Sequence, residues 1–322
     1  MSDIVLLVGL QASGKSQLAE KYKKQGYKVL SRDIQGGKVA DLLPIFEYEL
    51  KMGENIVIDN THSTVEMRQP FVQATQKAGE SLRCEWMTTS KEDCQINALH
   101  RMWDRYGRLF LGPDDFEEED FKKDPNMFPP AALWATAKKF EEPTTAEGFS
   151  KVEKVKFVRK PFQGKHSALI LDYDQNLRDV PDGVELGYPV KTEEVILLPR
   201  RKEVLDDYIA KHKPDFLLGA SNQSGVHKGT LTYDRAVECF VETNKQLDMD
   251  IQFHFCPHRS SPPGCYCRKP QSGMGVYMMR KFDLNPKKVL FVGDQTSDKT
   301  WAKRLGFEFQ HTHNFFGPDY AD

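Results

Sequence analysis

Two α/β domains, each a largely parallel sheet with helices on both faces, are the fold class this sequence predicts. Three observations carry the prediction. Apolar strand-length runs alternate with amphipathic helical stretches along the whole chain. A glycine-rich loop, "GLQASGKS" (9–16), follows the first apolar run and opens a helix. A D-x-D pair in "LILDYDQNL" (169–177) follows a later apolar run in the same way.

The elements read in order. Strands are expected at 3–9, 27–31, 55–60 and 82–87, with helices at 15–24, 38–51, 64–78 and 91–103. Strand–helix–strand repetition implies parallel pairing, because a crossover helix must return the chain to the same edge. The stretch "GPDDFEEEDFKKDPNMFPP" (112–130) breaks the rhythm; its acid and proline predict an exposed loop or lid. The basic stretch 151–165 is read as a last strand followed by a linker, with the seam near Phe162. A second alternation follows, with strands at 166–174, 215–225, 251–258 and 287–298 and helices at 200–211, 233–246, 275–282 and 297–305. The expected domains are therefore 1–160 and 161–322, of P-loop and D-x-D type respectively, without an internal repeat.

With 29% charged and 39% hydrophobic residues, the chain has the composition of a soluble globular protein. A net charge of −2 excludes a global basic field, so any nucleic-acid partner would be gripped by local patches. Lys154, Lys156, Arg159 and Lys160 are candidates, and a solvated basic strand edge is the bland alternative. No apolar run has the length of a membrane span, and "MSDIVLLVGLQASGKS" reads as a core strand rather than a signal peptide. The six cysteines, three of them crowded into one segment, do not form a secreted disulfide framework. The expectation is a cytoplasmic protein, with a nucleus or an infected cell as other reducing settings.

In the first half, the loop glycines let backbone N–H groups surround phosphate oxygens at a helix N-terminus. Gly9, Gln11, Ala12, Ser13, Gly14, Lys15 and Ser16 form this nucleotide site, with Lys15 on the β- and γ-phosphates and Ser16 on Mg²⁺. "SRD" (31–33) ends the second strand; Asp33 is either a general base for an acceptor hydroxyl or a helix cap. "IVIDNTH" (56–62) places Asp59 and Asn60 at a strand tip, to orient the acceptor or, for Asp59, to support Mg²⁺. Arg101, Arg105 and Arg108 in "HRMWDRYGR" offer a cation for the transferred phosphoryl group.

The succession GxxxxGKS, "SRD", "IDNTH" and helix-borne arginine resembles the polynucleotide 5′-kinase family over most of residues 1–160. "FEEPTTAEGFSKVEKVKF" (140–157) resembles the end of the kinase domain in animal polynucleotide kinase-phosphatases. The resemblance implies ATP as donor and Asp33 as general base. It also implies an acceptor 5′-OH end bound by Asp59 and Arg101 on the transferred phosphate; Arg32 and Asn60 are further candidates for binding the acceptor.

In the second half, Asp172 and Asp174 can reach one phosphate and one Mg²⁺, one as nucleophile and the other as acid/base. "GASNQSG" (219–225) adds Ser221 and Asn222 as phosphate hydrogen-bonding residues, and "CRKP" adds the cation Lys269. "FVGDQTSD" (291–298) adds Asp294 and Asp298 to the Mg²⁺ set of Asp172 and Asp174. This four-part order resembles the haloacid dehalogenase-like phosphatases, which implies Asp172 as nucleophile and Asp174 as acid/base. One departure stands out: Gln175 and Asn176 replace the family's glycine and threonine.

Cys256, His258, Cys265 and Cys267 form C-x-H-x₆-C-x-C, a closed set suited to structural, tetrahedral Zn²⁺. Loose reduced thiols are the bland alternative. The segment resembles the zinc loop of bacterial histidinol-phosphate and heptose-bisphosphate phosphatases. His254 is read as a sheet residue, and Cys84, Cys94 and Cys239 as core cysteines.

Kinase and phosphatase chemistry in one chain would be futile on one hydroxyl and makes sense on two different ends. The expected function is end healing of DNA or RNA, 5′-phosphorylation and 3′-dephosphorylation, with a nucleic-acid ligase acting afterwards and no membrane partner. The alternatives are small-molecule phosphate chemistry on a sugar or histidinol phosphate, and an active kinase beside a non-catalytic phosphatase-like module.

Overall fold

The computed structural model describes residues 2–260 and 264–317. The tip of the Cys/His loop, 261–263, and the end of the second expected domain, 318–322, lie outside the described residues. The chain divides into two compact units, one of residues 1–98 with 119–160, the other of residues 99–118 with 161 onward.

The first unit holds strands β1 (Ile4–Val8), β2 (Lys28–Ser31), β3 (Ile56–Asp59), β4 (Leu82–Met87) and β5 (Lys151–Val155). They form one parallel sheet in the order β2-β3-β1-β4-β5. Its helices are α1 (Lys15–Lys24), α2 (Arg32–Gln35), α3 (Leu42–Lys51), α4 (Val65–Lys77) and the start of α5 (Lys91–Tyr106). Every residue of β1 is buried, as a central parallel strand requires. Alternate residues serve opposite faces. Ile4, Leu6 and Val8 pack with Phe46 of α3 and Phe71 of α4, while Val5 and Leu7 pack with Ala19 and Tyr22 of α1. Fully burying each of these larger side chains contributes about 1.5–3 kcal/mol. Thr64 caps α4 by accepting from the Met67 N–H, so the helix expected from 64 starts one residue later.

The acidic stretch 112–130 is a correction. It holds two short helices, α6 (Pro113–Phe116) and α7 (Glu119–Lys123), and leads into α8 (Pro130–Lys138), rather than forming an exposed loop. Phe121, Met127 and Phe128 are buried, and Phe128 joins Leu133 and Ala98 in a small core. The acid sits between these apolar anchors and hides them in a composition-based reading.

The second unit holds β6 (His166–Leu171), β7 (Arg178–Asp179), β8 (Ile196–Leu197), β9 (Phe216–Asn222), β10 (Gln252–Cys256), β11 (Leu284–Gly293) and β12 (Glu308–His311). The main sheet is parallel in the order β10-β9-β6-β11-β12, and β7 and β8 form a small antiparallel ribbon. Its helices are α9 (Arg201–His212), α10 (Ser224–Lys228), α11 (Tyr233–Leu247), α12 (Gly273–Lys281), α13 (Thr296–Leu305) and α14 (Thr312–Phe316). Leu169, Leu171, Leu290 and Val292 face Leu205 of α9, Phe240 of α11 and Phe316 of α14. On the other face Phe291 meets Trp301 of α13 edge to face, with ring centroids 4.8 Å apart.

Segment 99–118 departs from the expected division at residue 160, because it groups with the second unit. Arg280 of α12 pairs with Asp104 at 2.9 Å and donates to His100, and the Tyr266 N–H donates to the Leu111 carbonyl. Among the described residues no helix is long and apolar enough to cross a membrane.

Candidate active sites

In the first unit the loop after β1 is shaped by missing side chains. A Cβ on Gly9 would lie 2.8 Å from Ser13 Oγ and 2.9 Å from Met87 Cβ, and one on Gly14 (φ 101°) would strike the Phe157 ring at 2.5 Å. Ala12 is also left-handed, at φ 57°. Left-handed residues in such a turn let successive N–H groups converge on an anion. Polar side chains pin the loop from outside. Asn97 donates to the Ala12 carbonyl and Thr89 to the Ser13 carbonyl, both at 2.8 Å, and Gln11 donates to Thr136 Oγ1 at 2.9 Å. Buried Lys15 donates from Nζ to the Gly9 and Leu10 carbonyls at 2.9 and 2.8 Å.

Asp59 ends β3 in register with Leu7 of β1 and Ser31 of β2. Burial raises its carboxyl above the usual range, while the Lys15 charge and a hydrogen bond from Ser16 pull it back; the Asp33 charge pushes it up. Lys15, Ser16, Asp33 and Asp59 thus share one neighbourhood. A hydroxyl and a buried carboxylate joined by a hydrogen bond are a donor set that fits Mg²⁺. Ser31 caps α2 by accepting from the Asp33 N–H at 3.2 Å, so the capping role weighed for Asp33 falls to Ser31. Asp33 and Arg32 are exposed. Asn60 Nδ2 is buried with no hydrogen-bond partner among the described residues.

His62 was not singled out by sequence. It is fully buried at φ 44°, its Nδ1 is 3.0 Å from the Leu7 carbonyl, and burial pulls its pKa down to about 4. Nothing in "DNTH" signals this, since the burial comes from the sheet beneath.

Arg101, Arg105 and Arg108 lie in the segment grouped with the second unit. The Arg101 charge acts on Tyr266, and Arg108 pairs with Glu118 and lies 4.4 Å from the Phe110 ring centre. Of the basic residues proposed as a nucleic-acid path, Lys154, Lys156 and Lys160 are exposed. Arg159 is a correction: it pairs with Asp93 at 2.8 Å and donates to Asn97 at 2.8 Å, so its charge is spent inside the first unit.

The second unit assembles its charges more tightly. Lys269 is 3% exposed, and its Nζ lies 3.0 Å from Asp172 Oδ2, 2.8 Å from Asp298 Oδ1 and 2.7 Å from the Ala220 carbonyl. Burial raises the Asp172 carboxyl to about 7, against the pull of Lys269. Carboxylate oxygens of Asp172, Asp294 and Asp298 lie within 4.8 Å of one another. Asp294 Oδ1 is buried with no hydrogen-bond partner among the described residues, and burial raises this carboxyl. Three carboxylates, one with an orphaned buried oxygen, fit a hard divalent cation such as Mg²⁺. Gly293 must lack a side chain, since a Cβ there would sit 2.6 Å from Asp298 Oδ2.

Two sequence readings change here. Asp174 does not join the carboxylate trio; its Oδ1 pairs with Arg178 Nε at 2.8 Å and its Oδ2 accepts from Gln223 Nε2 at 2.5 Å. The Asn222 side chain does not face phosphate, because both ends of its amide hold the Lys269 backbone, at 2.9 and 3.0 Å. Ser221 keeps a buried hydroxyl that accepts from Gln223 at 3.1 Å. The "DYDQN" departure leaves the loop intact. Gln175 adopts φ 60°, a glycine-like value, and Asn176 donates to the Asp172 carbonyl at 2.6 Å while accepting from Thr312 at 2.6 Å.

Donor atoms of Cys256, His258, Cys265 and Cys267 also lie within 4.8 Å of one another. Cys256 and Cys265 sulfurs are 3.6 Å apart, and His258 Nδ1 is 3.1 Å from Cys267 Sγ and 3.5 Å from Cys256 Sγ. The cysteines are free thiols. A tetrahedral zinc with bonds of about 2.3 Å sets sulfur–sulfur edges near 3.8 Å, so this donor set fits Zn²⁺. Cys84, Cys94 and Cys239 are buried, and burial pushes their thiols up to about 12, 12 and 11.

The family model described as polynucleotide kinase 3 phosphatase matches residues 201–317. The bifunctional polynucleotide phosphatase/kinase of Schizosaccharomyces pombe is 31% identical over 156 residues, 48% of this chain and 34% of that protein. The chain therefore spans about a third of that relative's length. The D-glycero-alpha-D-manno-heptose-1,7-bisphosphate 7-phosphatase of Campylobacter jejuni is 30% identical over 138 residues, 42% of this chain and 74% of that protein. Among solved structures, the D,D-heptose 1,7-bisphosphate phosphatase of B. bronchiseptica is 26% identical, with 44% of this chain and 78% of that chain covered and a TM-score of 0.39.

The sheet order and the Asp–Lys–Asp centre define the class, a haloacid dehalogenase-like phosphatase unit joined to a P-loop kinase-like unit. Within that class, residues 201–317 match the polynucleotide kinase 3 phosphatase family, and the phosphatase half has the heptose-bisphosphate phosphatases as relatives.

Proposed function

We propose that this protein heals nucleic-acid ends, phosphorylating 5′-OH ends with ATP and removing 3′-phosphates. One observation carries the reading: a glycine-rich loop whose Lys15 and Ser16 act on Asp59, and a buried Asp172–Lys269–Asp298 cluster, occur in one chain similar to a bifunctional polynucleotide phosphatase/kinase.

In the kinase half, Asp33 takes the proton of the acceptor 5′-hydroxyl, and that oxygen attacks the γ-phosphorus as the bond to ADP breaks. Lys15 bridges the β- and γ-phosphates, and Asp59 and Asn60 orient the acceptor beside Arg32. Ser16, supported by Asp59, would hold Mg²⁺, which supplies charge neutralisation on the phosphates.

In the phosphatase half, Asp172 attacks phosphorus and the bond to the 3′-oxygen breaks, its electron pair leaving on that oxygen with a proton from Asp174. Water then attacks the aspartyl-phosphate, Asp174 takes its proton, and the Asp172 carboxylate is released with free phosphate. Lys269 and Ser221 hold phosphate oxygens. Asp172, Asp294 and Asp298 would hold Mg²⁺, which offsets repulsion between nucleophile and substrate. Cys256, His258, Cys265 and Cys267 would hold a structural Zn²⁺ that fixes the segment bearing Lys269. A ligase acting on the healed ends and an intracellular location belong to the same proposal.

The identity with the heptose-bisphosphate phosphatase favours a second reading, in which the phosphatase half acts on a small sugar phosphate. A substrate panel separates them. The purified chain is offered ATP with a 5′-OH oligonucleotide, and separately a 3′-phosphorylated oligonucleotide, heptose bisphosphate and histidinol phosphate. End healing predicts label on the oligonucleotide 5′ end and release of its 3′-phosphate. Release from the small phosphates alone, with no label transfer, would replace it.

A further inference from the structure

We propose that Arg178 is a positioning residue that sets Asp174 for leaving-group protonation. This rests on the phosphatase reading above and assigns it a residue outside the Asp–Lys–Asp centre.

Arg178 is 1% exposed. A buried guanidinium needs a carboxylate and further acceptors to offset its desolvation. The carboxylate is Asp174, with Nε 2.8 Å from Oδ1. The second acceptor is Thr243 Oγ1, 3.0 Å from Nη1, whose own hydroxyl donates to the Cys239 carbonyl at 2.8 Å and so presents a lone pair. The guanidinium carbon lies 4.6 Å from the Phe240 ring centre and 5.4 Å from that of Tyr173. Four supports, two from the loop after β6 and two from α11, hold Arg178 in place.

The backbone brings the pair together. Leu177 and Arg178 N–H groups both donate to the Tyr173 carbonyl, and the Gln175 N–H donates back to the Arg178 carbonyl at 2.9 Å. The loop closes so that a residue four places after Asp174 faces it. On the far side Gln223 Nε2 donates to Asp174 Oδ2 at 2.5 Å and to Ser221 Oγ at 3.1 Å. Each Asp174 oxygen therefore has a fixed donor, and rotation of the carboxyl group is blocked. An acid that must place one proton on one departing oxygen gains from this restraint.

The step assigned to Asp174 matters unequally among substrates. A sugar alkoxide leaves only with a proton, whereas p-nitrophenolate leaves without one. Misplacing Asp174 should slow the first kind of departure and spare the second. Loss of a purely structural residue would slow both alike.

The test uses the full chain with Mg²⁺ in single-turnover mode. Arg178→Met is expected to slow phosphate release from a 3′-phosphorylated oligonucleotide on the order of 10²-fold. The burst of p-nitrophenol from p-nitrophenyl phosphate should fall less than about tenfold in the same variant. Arg178→Lys should recover part of the alkyl-substrate rate. Thr243→Val, which keeps the arginine but removes its second anchor, should show the same selectivity at smaller size. Equal losses on both substrates in both variants would overturn the proposal. Should wild type release phosphate only from heptose or histidinol phosphate, the end-healing reading fails; the ratio is then taken against that alkyl substrate and still decides the role of Arg178.

Discussion

In the second unit a lysine is locked between two carboxylates; in the first, the comparable cation leans on backbone carbonyls. Lys269 contacts Asp172 and Asp298 within 3.0 Å, and its backbone is tied twice by Asn222. Lys15 donates to Gly9 and Leu10, while Asp33 lies exposed on a helix of four residues. The chemistry accounts for the difference. On the proposed mechanism the nucleophile, Asp172, belongs to the chain, so the fold must aim it, charge it and compensate it. In transfer from a nucleotide both reacting oxygens belong to substrates, and the chain supplies a cradle and a base. One centre is held by ion pairs, the other by loop geometry.

The largest effects should come from breaking each centre at its own reactive carboxylate. Asp172→Asn is expected to lower 3′-phosphatase activity by at least about 10³-fold with kinase activity kept. Asp33→Asn should lower kinase activity by about 10²–10⁴-fold, with nucleotide binding and phosphatase activity kept. Rates of both reactions on both variants check this; a cross-effect of similar size would mean the two centres are not independent.

An intermediate effect concerns acid. His62 titrates at about 4 in the folded first unit against 6.5 for the free side chain. Between those values the unfolded chain binds a proton that the folded chain does not, so stability falls as pH drops from 6.5 toward 4. The full shift corresponds to about 3 kcal/mol. His254 in the second unit is shifted in the same direction, also to about 4, but is only partly buried. Each unit should therefore lose stability as pH falls from 6.5 toward 4. Unfolding of each unit followed between pH 7 and 4 measures the loss. His62→Asn, a residue that tolerates positive φ, should flatten the slope of the first unit; an unchanged slope would remove His62 from the account.

The smallest effect tests the "DYDQN" loop. Gln175→Gly relieves a left-handed residue but loses the Gln175–Asp179 hydrogen bond of 2.7 Å. The two terms oppose, and stability should change by less than about 1 kcal/mol, with phosphatase rates within about threefold. A tenfold gain would show that the glutamine restrains the enzyme.

Much of this was legible from sequence because it is local. Strand-length apolar runs and helical spacing announced two α/β units, and the P-loop, the D-x-D pair and the Cys/His spacing each occupy one short segment. What was missed needs distant partners. Phe121, Met127 and Phe128 are anchors concealed by acidic neighbours. The motif around Asn222 suggests a phosphate contact because no spacing relates it to Lys269, 47 residues away. Arg178 and Gln223 become partners of Asp174 only when β7 and β9 converge on the loop after β6.

Sequence by itself determined the two α/β units and the local motifs, because a glycine-rich loop, a D-x-D pair and a Cys/His cluster with metal-ligand spacing are written in adjacent residues. The tertiary structure alone decided which carboxylates lie together, which amide holds the lysine and which arginine pairs with Asp174. Those pairings depend on strand order and burial, and buried charges must find partners wherever the sheet brings them.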